Sequence, residues 1–124
     1  MQTTTATLTL DNAAHVGQQV KAAAFRAADT FFQTRMGGQD RGACGFAWVT
    51  VYPEHKGNTR QGKAERVLLE RLGMRKDWTG KAYELWNPAG YPCQNIDTLE
   101  AGADAAAQVL KGYGLTAYSN SRMD

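Results

Sequence analysis

The residues best suited to chemistry lie in one stretch, Tyr52-Pro53-Glu54-His55-Lys56-Gly57-Asn58-Thr59-Arg60-Gln61-Gly62-Lys63-Ala64. It contains Gly57-x-x-x-x-Gly62-Lys63, the spacing with which a glycine-rich loop cradles phosphate oxygens on its N–H groups while a lysine neutralises them. Ala64 stands where a nucleotide-hydrolysing loop carries a Ser or Thr hydroxyl for magnesium, and no apolar run ends in an aspartate that could complete the metal site. Hydrolysis is therefore not expected of this loop, whereas anion binding is. Lys56, Arg60 and Lys63 would supply charge, and the unpaired N–H groups of the helix that follows would stand behind them. Cations at a helix N-terminus oppose the helix dipole, so gathering them there is either a small tolerated cost or a use for an anion.

His55 titrates near neutral pH and, beside Glu54 or Asn58, has the chemistry of a general base. No nucleophile or orienting carboxylate is legible next to it, so His55 and Asn58 are expected to contact a ligand or solvent, and no catalytic residue is assigned. A hydrolase using His55 is the last of the alternatives. Lys56 to Lys81 holds eight basic residues against three acidic ones, while the rest of the chain holds six against nine. A middle third so polarised suits an anionic partner, although a solvated helix face laced with pairs such as Glu70–Arg66 accounts for the same charges.

Aromatic residues offer a second kind of chemistry. Tyr83, Trp86 and Asn87, with Trp48 and Trp78 as neighbours, could form a wall on which a base stacks, Asn87 giving both a donor and an acceptor to its edge. The competing reading is that Trp and Tyr on strands are core. Ser119, Ser121 and Arg122 near the end of the chain could add hydroxyl and guanidinium contacts to a phosphate, or belong to a frayed terminus.

These groups must be positioned by a chain of 124 residues, one domain over 1–124 with room for one core. Its 43% hydrophobic and 10% aromatic content is that of a folded globular protein. No apolar run approaches the ~20 residues of a transmembrane helix, and Met1-Gln2-Thr3-Thr4-Thr5 is not the start of a secretory signal, so a cytoplasmic protein with no membrane contact is expected. Cys44 and Cys93 are read as separate thiols, and two cysteines with two histidines (His15, His55) in no close pair give no metal site and call for no cofactor.

The periodicities predict the order helix, strand, helix, strand, helix, strand. An additional edge strand or a frayed arm is expected over Thr3 to Leu10. A helix capped by Asp11 or Asn12 carries two adjoining apolar stripes, Val16–Val20–Ala27–Phe31 and Ala24–Ala28–Phe32, wide enough to predict a homo-oligomer, and Gly37-Gly38 ends it. Ala43 to Tyr52 is the central strand, apolar on both faces and so expected to be covered on both. Gln61 to Leu72 is a helix with Thr59 as its cap, Ala64, Val67, Leu68 and Leu72 inward, and Lys63 and Arg66 outward. Met74 to Gly80 is a connecting turn, and Lys81 to Asn87 alternates as a strand. Asp97-x-x-Glu100 opens a helix with Leu99, Ala103, Ala106, Leu110 and Tyr113 inward, and Leu115 to Tyr118 is a short final strand. The fold class is α+β, a three- or four-stranded sheet covered by about three helices.

The run Cys44-Gly45-Phe46-Ala47-Trp48-Val49, the late Ala-rich helix and the tail Tyr118-Ser119-Asn120-Ser121-Arg122-Met123-Asp124 resemble small uncharacterised proteins of phages and prophages. That resemblance implies a setting, the cytoplasm of a bacterial host, and no activity. Residues and resemblance together lead to the expectation of a non-enzymatic binder of a phosphorylated ligand, a nucleotide or short oligonucleotide such as a host-defence signal. His55, Lys56, Asn58, Arg60, Lys63, Trp86, Asn87 and Arg122 are its candidate ligand-binding residues. A nucleic-acid-binding module, or a protein-interaction module inhibiting a host factor, are the alternatives.

Overall fold

The computed structural model describes residues 7–124. Among them the order is α1 (Ala13–Thr34), β1 (Gly45–Val51), α2 (Arg60–Arg71), β2 (Arg75–Lys76), β3 (Tyr83–Trp86), α3 (Ile96–Gly112) and β4 (Ala117–Met123). The four strands form one antiparallel sheet in the order β2-β3-β1-β4, an α+β fold of the expected class. Of the possible strand over Thr3 to Leu10, positions 3–6 lie outside the described residues and 7–10 form no strand.

The sheet is built on alternation. Ala47, Val49 and Val51 of β1, with Tyr83 and Leu85 of β3 and Ala117 of β4, point into the core. There they meet the small-residue faces of α1 (Val16, Val20, Ala24, Ala28) and α3 (Leu99, Ala103, Ala106, Leu110). Alanine at these positions lets the two helices approach closely. The carbonyl of Ala24 lies 3.2 Å from where a Cβ on Gly102 would sit. The wide apolar stripe of α1 is thus largely used within the chain, against α3 and the sheet.

Four expectations require correction. The central strand is not covered on both faces: all three helices lie on the Val49 side, and Phe46, on the other, is 41% exposed. The apolar character of that second face comes from aromatic side chains packing on one another across the surface of the sheet. In α2 the inward residues are Gly62 and Leu69, with Leu72 buried at its C-cap, while Val67 is 43% exposed and Ala64 is exposed. The stripe that continues Leu69 and Leu72 toward the helix start passes through Glu65 and Arg66, whose polar heads bind the preceding loop, so Arg66 does not face outward. Finally, α3 is capped by Asn95, whose Oδ1 accepts from the Thr98 N–H, and Asp97 stands in its first turn instead of at the cap. β4 also runs to Met123, so the expected tail is strand.

Candidate functional site

The basic loop is organised from within. The Glu65 carboxylate accepts the backbone N–H groups of Glu54 (2.7 Å) and His55 (3.0 Å), and its Oε1 lies 3.5 Å from His55 Nδ1. Thr59 Oγ1 caps α2 by accepting from the Gly62 N–H at 3.0 Å, and Arg66 Nη1 donates to the carbonyls of His55 and Gly62. The Glu54, His55 and Gly62 N–H groups, on which a phosphate would draw, are thus taken by a carboxylate and a hydroxyl of the chain itself, and Arg66 Nη1 by two backbone carbonyls. The glycine of the motif has a packing reason as well. A Cβ on Gly62 would lie 1.8 Å from the Lys56 carbonyl oxygen, so the loop can fold over the helix start only above a glycine. His55, Lys56, Asn58, Arg60 and Lys63 are all exposed around this closed loop.

Trp86, Asn87 and Arg122 lie elsewhere. Trp86 pairs with Trp48, the Asn87 N–H donates to the Ala47 carbonyl, and Arg122 pairs with Phe46. All three therefore sit toward the start of β1, whereas the loop leaves from its end at Val51. From Ala47 to Val51 a strand advances roughly 13 Å. The eight candidate residues do not form one site; they fall into a loop group and a sheet group.

The sheet group belongs to the helix-free face. Directly opposed residues of an antiparallel pair share a face, so the register brings together Phe46, Trp48 and Thr50 of β1, Glu84 and Trp86 of β3, Arg75 of β2, and Tyr118, Asn120 and Arg122 of β4. The Trp48 and Trp86 rings stack at 4.7 Å and 22°, and Phe46 meets Trp86 edge-on at 6.4 Å. The Arg122 guanidinium carbon lies 5.4 Å from the Phe46 ring centre. Tyr52 and Tyr118 continue the aromatic surface, with ring centres 6.0 Å apart. Asn120 Nδ2 donates to Thr50 Oγ1 at 2.8 Å, which satisfies the half-buried polar pair between the two aromatic groups.

Beside Trp86 the face deepens into a cleft of about 520 Å³ lined by Gly73, Arg75, Lys76, Glu84, Leu85 and Trp86. Its volume falls in the range of small-molecule sites. The Trp86 Nε1–H donates to a Glu84 carboxylate oxygen at 2.5 Å, which orients the indole at the cleft. Asn87, the only non-glycine residue with positive φ (44°) among the described residues, turns the chain immediately after the ring. Asparagine tolerates this left-handed conformation better than most residues.

Arg75 and Lys76, counted in the basic Lys56–Lys81 region, and Glu84, on the strand Lys81 to Asn87, were not among the candidate ligand-binding residues, and Met74 to Gly80 is read as a connecting turn. A signal was present in Arg75-Lys76 directly after Gly73 and Met74, but two polar residues carry no periodicity. Two of the expected stacking residues are elsewhere: Tyr83 is buried under the sheet, and Trp78 is 93% exposed in the turn before β3. Ser119 and Ser121 point to the opposite side of β4 from Arg122, so the three cannot converge on one phosphate. Cys44 and Cys93 are free thiols. Among the described residues no group of three or more His, Cys, Asp or Glu side chains could hold a metal ion, and no helix is long and apolar enough to cross a membrane.

Comparison of the chain with protein-family models, with curated proteins and with solved structures finds no match.

Proposed function

We propose that the protein is a binder of a nucleotide or a short single-stranded oligonucleotide, held on the open face of its sheet. The observation that carries this reading is the Trp48–Trp86 stack, with Trp86 half exposed, flanking a nucleotide-sized cleft whose lining includes Arg75. A base stacks on the free face of Trp86, and Arg75, opposite Glu84 on the same face, neutralises phosphate, with Arg122 within reach of a second nucleotide; Asn87 lines a separate cleft beside Phe46 and Cys93. The loop cations Lys56, Arg60 and Lys63 remain a long-range attraction for the same anion. A resemblance to phage proteins supports sequestration of a host nucleotide signal as the use of such a site.

Titration calorimetry with AMP, ATP and a short oligothymidylate, each at several salt concentrations, tests the reading. A cleft for one or two nucleotides gives a shallow log–log salt slope, because a polynucleotide groove loses roughly 0.7–0.9 units per phosphate contacted. Trp86→Ala is expected to weaken binding by about 1–3 kcal/mol. Arg75→Ala should cost about 1.5–3 kcal/mol, the range for charged hydrogen bonds. Failure of all three ligands to bind would remove the reading. Tight binding of long single strands with a slope of several units would replace it with a nucleic-acid module.

A further inference from the structure

β4 is a terminal strand of the sheet, and its outer edge carries no strand among the described residues. The Tyr52 N–H donates to the Thr116 carbonyl and the Asp124 N–H to the Cys44 carbonyl, so the even-numbered positions of β4 bond inward to β1. By alternation Ala117, Ser119, Ser121 and Met123 turn their N–H and C=O groups outward, as a template for another strand. Among the described residues the usual devices that blunt such an edge are missing: β4 is seven residues long with no proline or lysine, and its one charge, Arg122, points to the open face.

A cleft of about 330 Å³ runs beside this edge between β4 and α3, lined by Glu100, Ala103, Asp104, Ser119, Asn120 and Ser121. The side chains of the outward-bonding serines enter it. Ser121 Oγ donates to Glu100 at 2.9 Å, and Ser119 Oγ donates to Asp104. Four residues of helix advance about 6.0 Å and two residues of strand about 6.8 Å, so an added strand presents alternate side chains in step with these two carboxylates. Asp97 and Phe31 extend the acidic wall along α3 with an aromatic edge.

We propose that this edge receives an extended basic peptide of a partner protein, added to β4 as a further strand. Its main chain bonds to Ser119 and Ser121, and Lys or Arg at alternate positions reaches Glu100 and Asp104. The carboxylates select this occupant. A second copy of β4 would bring serines and a second set of α3 carboxylates to the same seam, and a nucleic acid would bring phosphates.

The test is amide hydrogen exchange of the full chain with the acetylated, amidated peptide Thr-Lys-Val-Lys-Val-Thr, followed at Ser119 and Ser121. Exchange at both amides is expected to slow, and the binding isotherm to weaken about tenfold or more in the Glu100→Gln/Asp104→Asn variant. The peptide N-methylated at its β4-facing amides, with its charge kept, is expected not to bind. Ser121→Pro removes the outward N–H, together with the hydroxyl that donates to Glu100, and provides a second variant, also expected not to bind. Equal affinity for the Thr-Glu-Val-Glu-Val-Thr peptide overturns the proposal, as does binding without protection of the two amides. Protection that rises with protein concentration alone, together with a dimer mass in sedimentation, also overturns it, because a second copy then fills the edge.

Discussion

Asp40 holds the cap of α3 through Asn95. Its Oδ1 accepts both the backbone N–H (2.9 Å) and the side-chain amide (3.0 Å) of Asn95, and its Oδ2 accepts the Gln94 N–H (2.9 Å). The same Asn95 caps the helix through Thr98, and Ile96 N–H returns to the Ala43 carbonyl. The loop after α1 and the start of α3 are thereby fastened to one buried amide.

The Asn95 side-chain bond, then the Gln94 N–H, hold the Asp40 carboxyl below the usual carboxylate range. A depressed acid stabilises the folded state above its unfolded pKa, and that contribution disappears as pH falls through the folded value. The melting temperature of the wild type is therefore expected to fall below about pH 4 more steeply than that of Asp40→Asn, measured by thermal denaturation across pH 2.5–7. Parallel curves would show that the bond does not contribute.

Asn95→Ala removes a helix cap and leaves Asp40 without its amide donor, at a cost of about 1–2 kcal/mol in urea denaturation. Asn95→Asp keeps the cap oxygen but sets a second carboxylate against Asp40. It should be less stable than wild type at pH 7, and the gap should narrow on acidification as one of the two protonates.

The glycine-lysine spacing of the loop is a packing feature, and two substitutions separate packing from phosphate chemistry. Gly62→Ala drives a methyl into the Lys56 carbonyl and is expected to destabilise by about 1–3 kcal/mol. Ala64→Ser restores the hydroxyl of a magnesium-dependent loop on an exposed position. It is expected to leave stability within about 0.5 kcal/mol of wild type and to create no magnesium-dependent nucleotide affinity in calorimetry.

The two sides of the sheet should respond differently to truncation. Leu69→Ala, in the core, is expected to cost about 2–5 kcal/mol. Trp86→Ala, on a ring that is 48% exposed, should cost well under half of that. If Trp86→Ala unfolded the chain, the open face would be a structural layer and could not be assigned to a ligand on stability grounds.

The helices and the central strand were legible because their periods were carried by many residues: Leu99, Ala103, Ala106 and Leu110 mark α3 with little competition. β2 was not, since Arg75-Lys76 is too short and too polar to show a period. β4 was half hidden for a related reason, its later residues being Ser-Asn-Ser-Arg, which read as a tail until β1 supplies the partner. The open face could not be told from a covered one, because Phe46, Trp48 and Trp86 alternate in the same way whether a helix or solvent lies over them. The cap of α3 moved from Asp97 to Asn95 because Asp40, distant in sequence, bonds the asparagine.

The stacked indoles have an optical consequence. Two tryptophans with ring centres 4.7 Å apart and nearly parallel couple their excited states, so the Trp48–Trp86 pair should give a paired positive and negative band in circular dichroism near the indole absorption. Trp78, the remaining tryptophan, lies alone in a turn and contributes to absorption without a coupled neighbour. The couplet is thus a label-free signal from the middle of the open face. Anything that slides between the rings or tilts one of them will change its amplitude, while an event on the far edge of β4 will leave it intact.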